Sequence, residues 1–312
     1  MRARSTAVRS SAETSRSSAA KRRKASAKSR LSRSYPLWFF IVPLAIFGVF
    51  RIVPTIASFY FSFTRWDLFT SEWIGLKNYQ MFFSEPSLLS SAKNTLIFAF
   101  VTMGAKVVLA FALALVLTSG IIARGYLRSV VFFPVLVSTI GVGLTFSALM
   151  DPNKGLINTA LAAIGIEGPG WLTNPDLALY SIALVDIWRG VGFATVIFIA
   201  GIVSIPAEYY EAARIDGASG WQVIRQIVIP LSKPATVTVI ILALTGGLRS
   251  FDLIWAMTGG GPGFASDVLA SAVYKQYQAG FYGLSTAGSV VLFVVVMVIV
   301  LPLNWYLNRG EE

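Results

Sequence analysis

The 312-residue chain contains neither histidine nor cysteine. Those absences exclude disulfides, thiol nucleophiles, Ser-His-Asp triads and zinc or haem ligation by these residues. An enzyme built here would work with Asp, Glu, Lys, Ser or Tyr alone. No Gly-Lys dipeptide occurs, so a phosphate loop of the GxxxxGK[ST] kind is missing. The chain is therefore not expected to hydrolyse nucleotide itself. Charge is scarce too: 13% of residues are charged, against about a quarter in an ordinary soluble domain.

What is abundant is apolar surface, at 55% of residues, with a mean hydropathy of +0.68. The net charge of +11 suggests nucleic acid until it is divided by position. Residues 1–34 hold eleven bases and only Glu13 as an acid, leaving fifteen bases against fourteen acids in the rest. The basic segment also contains ten serines and no apolar run, so burial cannot offset its ordering entropy. Three readings are open for it: a transit peptide, a nucleic-acid-binding arm, or a cytoplasmic tail that sets orientation and touches anionic lipid. The last is the expectation, with no nucleic-acid partner. Residues 1–34 are read as a disordered tail and 35–312 as a transmembrane domain.

Six stretches, at about 37–61, 95–117, 130–150, 177–202, 235–257 and 282–307, are long and apolar enough to cross roughly 30 Å of hydrocarbon. The first is interrupted by Arg51 and Pro54. Basic residues in the connections set the orientation. With the N-terminus inside, the cytoplasm receives the tail, Arg124, Arg128, Arg214, Arg225, Lys233 and Arg309. The longer outer connections balance Arg65, Lys77, Lys154 and Lys275 with acids such as Asp67, Glu72, Glu85, Asp151 and Asp267. The expectation is an all-α, multi-pass protein of a bacterial-type plasma membrane with both termini cytoplasmic. Asp151-Pro-Asn-Lys-Gly155 and the Gly259–Gly263 run read as outer turns.

The connection at about 203–233 is the most informative. Pro206 suits a first helical turn, Glu208 and Glu211 favour its N-terminal half, and Gly217 offers a left-handed stop. Trp221, Ile224 and Ile227 then recur at helical spacing until Pro230. Two short amphipathic helices around a glycine turn follow. Ala212 and Ala213 keep one surface small enough for another backbone to approach. From the residues alone, a partner-docking element and a plain interfacial hairpin are both open.

Glu211-Ala212-Ala213, Gly217, and Ile227-Val228-Ile229-Pro230 resemble the EAA loop (EAA-x3-G-x9-I-x-L-P) of binding-protein-dependent ABC importer permeases. The single departure is Ile229 for leucine, which keeps the apolar bulk. The resemblance covers about residues 36–308 and includes Phe61–Asp67, Gly75–Tyr79, Asn94-Thr95, Phe132-Phe133-Pro134, Val185–Trp188 and Phe251–Trp255 with Thr258–Gly263. These resemble the maltose- and glycerol-phosphate-type carbohydrate permeases. The resemblance implies a type I ABC importer permease of six transmembrane helices, and a second permease, usually giving a heterodimer. It also implies an ATPase dimer that binds ATP and magnesium, an extracellular solute-binding protein, and a sugar-like solute. This chain then carries no cofactor. Glu211 would be the ionic contact to the ATPase and Ala212 and Ala213 the close-packing surface. Gly217 would be the turn, with Asp216, Ile227 and Pro230 completing the coupling motif.

Ionisable groups inside a span are functional candidates by default. Asp186 and Arg189 in the fourth span, and Arg249 and Asp252 in the fifth, are opposite charges at i,i+3. Asp186 lies about 13 Å along its span, near mid-membrane. With Trp188 and Trp255 beside them, these groups are read either as a polar path for solute hydroxyls and sugar rings or as structural ion pairs. Lys106 has no partner on its own helix and is placed toward the interior or Asp186. Two alternatives to a transport subunit remain: an intramembrane enzyme, although its acids and Lys106 are spread over three spans, and a membrane-anchored protein acting through its basic tail.

Overall fold

The computed structural model describes residues 38–309; the basic segment 1–34 lies outside the described residues. Those residues fall into two compact units, one ending at Ala57 and the other beginning at Ser58.

Four helices are long and apolar enough to cross a membrane: α1 (Phe39–Phe61), and three longer ones that follow. After α1 come a hairpin of β1 (Thr64–Trp66) and β2 (Ser71–Trp73), α2 (Lys77–Ser84) and the second long helix, α3 (Pro86–Thr118). Next are α4 (Arg124–Leu136), α5 (Thr139–Leu149), α6 (Leu156–Ala163) and the third long helix, α7 (Pro175–Val203). The chain continues through α8 (Ala207–Ile215), α9 (Gly220–Leu231), α10 (Lys233–Leu248), α11 (Asp252–Thr258) and α12 (Leu269–Gln278) to the fourth, α13 (Tyr282–Asn308). Counting each of two bent pairs as one span gives up to six crossings.

Proline explains where α1 departs from regularity. A π-helical turn at Gly48–Ile52, closed by the Val53 amide on the Gly48 carbonyl, lies just before Pro54, and the wider turn accommodates the donor missing at proline. The helix therefore continues through Arg51 and Pro54. Thr55 Oγ1 donates to the Arg51 carbonyl at 2.7 Å.

Two spans expected to be continuous are broken. Between α4 and α5 the axis turns by 95°. Pro134 removes a donor one turn earlier, and Val137 and Ser138 take extended ψ values of 141° and 132°. The fifth span ends at Leu248; Arg249 to Phe251 are non-helical before α11 begins. At its other end α9 meets α10 at 66°, between Pro230 and Pro234. The small antiparallel hairpin, with Arg65 opposite Glu72, is an addition to the expected all-helical architecture.

Packing is centred on α3 and α7. One buried cluster joins Phe98, Val142, Ile182, Val185, Leu253 and Ile254. A second, nearer the 203–233 connection, joins Ala110, Ala114, Phe198, Ile202, Val228 and Val239. Lipid tails are as apolar as leucine, so close van der Waals fit rather than water exclusion holds such interfaces. Gly192 illustrates the fit: a Cβ there would collide with the Val131 carbonyl of α4.

Candidate functional site

Helices α3, α7 and α10, with the non-helical turn before α11 and with Val135 and Thr139 at the α4–α5 break, line a half-open cavity of about 430 Å³. Its wall carries Lys106, Asp186, Arg189, Arg249, Ser250 and Asp252. The fold thus gathers charges that are far apart in sequence, including Lys106, Asp186 and Asp252 from three expected spans. Phe193, one turn beyond Arg189, contributes an apolar wall, as do Ala243 and Gly246.

The pairing differs from the i,i+3 expectation. Lys106 Nζ donates to Asp186 Oδ2 at 2.5 Å, and both side chains are largely buried. The lysine stem lies over Gly190, where a Cβ would come within 2.6 Å of Lys106 Cε. Neither Asp186–Arg189 nor Arg249–Asp252 is among the ion pairs of the described residues, which are Arg65–Glu72, Lys106–Asp186 and Lys275–Asp267. For Arg249 and Asp252 the reason is geometric: α10 has already ended at Leu248 and α11 begins only at Asp252, so helical spacing no longer applies. Arg189 Nε is buried with no hydrogen-bond partner, leaving a donor at the cavity wall.

The two tryptophans are elsewhere. Trp188 packs on Phe146 at 5.2 Å, and Trp255 stacks on Phe251 at 5.7 Å and meets Tyr274 at 4.9 Å. Neither lines the cavity. Trp255 reaches it only through Phe251, which does.

A second constellation forms the 203–233 connection. Helix α8 ends in a Schellman motif: the Ala218 amide donates to the Ala213 carbonyl (2.9 Å) and the Gly217 amide to that of Arg214 (3.2 Å). Gly217 has φ +69°, the left-handed position expected from sequence. Ser219 and Gln222 then form a capping box that starts α9. The Ser-x-x-Gln spacing signals it, although apolar periodicity alone passes over it. Val228 is buried and Ile227 packs beside it, anchoring α9 to the bundle. Pro230 is exposed and follows a π-helical turn at Ile224–Val228.

The two alanines separate: Ala213 is buried, whereas Ala212 is exposed with Glu211 and Asp216. Glu211 makes no ion pair among the described residues. Tyr209, Ile215 and Trp221 are exposed beside it, Ile215 by 86%. The charged Glu208, Arg214 and Asp216 are exposed on the same short helix and its cap, so the surface mixes carboxylates with large apolar side chains.

A third polar site is not evident from charge balance along the chain. Asp267 and Lys275 read in sequence as loop charges, yet Asp267 is buried and bound by Lys275 Nζ at 2.6 Å and Ser271 Oγ at 2.8 Å. Asn94 of α3 donates to the carbonyls of Ala265 and Asp267, and Thr95 Oγ1 accepts from the Leu269 amide. The available signal is the spacing Asp267, Ser271, Lys275, four residues apart.

The model of a protein family described as the binding-protein-dependent transport system inner membrane component matches residues 18–309. The trehalose/maltose transport system permease of Thermococcus litoralis is 35% identical over 256 residues, covering 81% of this chain and 87% of that protein. The multiple sugar-binding transport system permease of Streptococcus mutans is 29% identical over 272 residues, covering 86% and 93%. Among solved structures, a chain of a bacterial ABC transporter involved in the import of the acidic polysaccharide alginate aligns with a TM-score of 0.79 at 25% identity. That alignment covers 91% of this chain and 99% of the other.

Proposed function

The chain belongs to the binding-protein-dependent transport system inner membrane component family, and from that premise we propose that it forms half of the path of an ATP-driven importer for a saccharide or related polar organic solute. The observation that carries the reading is the charged cavity within the apolar bundle. Its volume of about 430 Å³ lies within the range of roughly 300–1,000 Å³ usual for small-molecule sites. Arg189 and Arg249 offer charge-assisted donors, and Asp252 and the second oxygen of Asp186 offer acceptors, for a solute rich in hydroxyls. Names of relatives that include trehalose, maltose and multiple sugars support that solute class.

The remainder of the machine lies on other chains. A second, related permease completes the path, an external solute-binding protein delivers the solute, and an ATPase dimer holds ATP and magnesium. Glu211 and the exposed apolar residues around it dock on the ATPase, so movement there passes into α7 and α10 as rigid-body motion. Both termini are cytoplasmic, on the side of the coupling loop.

The test is reconstitution of the complete transporter in liposomes with its binding protein. Ser250→Trp, which fills the cavity, should abolish solute uptake and solute-stimulated ATP hydrolysis while the complex still assembles. Uptake at the unmodified rate in that variant would remove the cavity from the path. Recovery of chemically altered solute inside the liposomes would instead favour an intramembrane enzyme.

A further inference from the structure

The β1–β2 hairpin and α2 lie outside both the cavity and the coupling loop. Only Ser62 and Phe63, a turn whose amides donate to the Ser58 and Tyr60 carbonyls, separate the end of α1 from Thr64, so the hairpin starts directly at the end of the apolar span. The headgroup layer of a bilayer is itself roughly 5–8 Å deep on each side. This element therefore begins at membrane-surface level, on the side opposite the coupling loop when six crossings are counted.

It is held rigidly. The Asn78 amide donates to the carbonyls of Ser62 and Thr64 at 2.9 and 2.8 Å, and the Tyr79 hydroxyl donates to Ser62 Oγ at 2.7 Å. Trp66 stacks on Phe61 with ring centroids 4.1 Å apart, and Trp73 on Phe63 at 5.5 Å. At the far end the Asp67 carboxylate accepts from the Phe69 amide, the Thr70 amide and the Thr70 hydroxyl. A tip tied at three points loses little freedom when it meets a surface.

What this scaffold presents is apolar. Phe69 at the tip is 94% exposed and Trp73 on β2 is 62% exposed. Tyr60, Leu76 and Phe83 are exposed as well. Of the exposed polar groups, Asp67 and Thr70 satisfy each other at the tip, and Arg65 and Glu72, opposite each other in register, form an ion pair at 3.5 Å. Strand alternation sends Glu72 to the face opposite Trp73. Trp and Tyr collect at the boundary between hydrocarbon and water, and Phe and Trp are among the side chains that interfacial segments bury there. An apolar face continuous with a lipid-length helix has the bilayer as its nearest apolar phase.

We propose that the hairpin, with α2, is an interfacial anchor whose Phe69–Trp73 face lies in the headgroup layer of the membrane on the side away from the coupling loop. This rests on membrane embedding and is independent of which solute the cavity takes. Because the chain has no cysteine, Phe69→Cys, Trp73→Cys and Glu72→Cys each introduce a single thiol for an environment-sensitive fluorophore. The complete transporter carrying each label is placed in liposomes containing phospholipids with a nitroxide near the headgroup. The expected result is quenching at positions 69 and 73 at least threefold stronger than at 72, unchanged by the solute-binding protein. Equal quenching at all three positions overturns the proposal. So does shielding of 69 and 73 only when the binding protein is added, which would assign the face to protein docking. Two positions on the apolar face are read, so failure of one variant to fold leaves the other decisive.

Discussion

Lys106 and Asp186 neutralise one another within a bundle that has few other charges, and Gly190 makes room for the lysine stem. Removing one member of a buried pair leaves the other uncompensated, at a cost of about 3–5 kcal/mol. Lys106→Met and Asp186→Asn should therefore each lower the yield of assembled complex, and the double variant should recover assembly, as read by thermal unfolding in detergent. Glu211→Lys is expected to act differently. The chain should remain folded while co-purification of the ATPase falls at least tenfold, because that carboxylate is exposed and faces outward. These residues are legible in the sequence to different depths. Charge inside an apolar run identifies Asp186, Arg189, Arg249 and Asp252 at once. The lone Lys106, without a partner on its own helix, points to Asp186 as one of its two destinations, and the structure pairs them; the i,i+3 pairings of Asp186 with Arg189 and of Arg249 with Asp252 do not form among the described residues.

Elements defined by local rules are the easiest to foresee. The α8–Gly217–α9 connection follows from caps and a left-handed glycine, all within a dozen residues. The breaks inside the third and fifth spans are hidden, because hydropathy averages over a window and is blind to backbone direction. Tertiary packing decides them: α5 turns away from α4 to pack on α11, where a Cβ at Gly143 would come within 2.6 Å of Ala256 Cβ. Gly192→Leu should prevent α4 from closing on α7 and leave the chain protease-sensitive, checked by limited trypsin digestion in detergent. In the hairpin, backbone and side-chain bonds from Thr70 and the Phe69 amide hold the Asp67 carboxyl below its ordinary value of 3.8. A depressed folded value means that its contribution to tip order is present above that ordinary value and is lost as pH falls through the lower one. A spin label at Phe69→Cys should stay immobile from pH 7 to about 5 and loosen only in strong acid.

At the scale of the whole molecule, the chain belongs to a transport-system family, and the proposed source of energy is an ATPase on separate chains. A fluorophore on Trp221→Cys should be unchanged by Mg-ATP in the isolated chain and altered by it in the complete transporter, as the proposed docking of α8 and α9 on the ATPase requires. The family and the number of apolar segments are legible in the order of residues alone. Membrane spanning demands long apolar runs, and the coupling loop carries Glu211-Ala212-Ala213, Gly217 and Pro230 at fixed spacing within one short connection. The cavity is not legible in that way, since it exists only where α3, α7 and α10 converge.

The Lys106–Asp186 pair also dictates an order of events at the ribosome. The lysine enters the bilayer with α3, and its carboxylate follows 80 residues later. At roughly 5–20 residues per second, that interval lasts about 4–16 seconds. During it, a lone ammonium must snorkel to the membrane surface, be shielded by the insertion machinery, or keep α3 from settling until α7 arrives. The ion pair can therefore close only after the fourth span has been made.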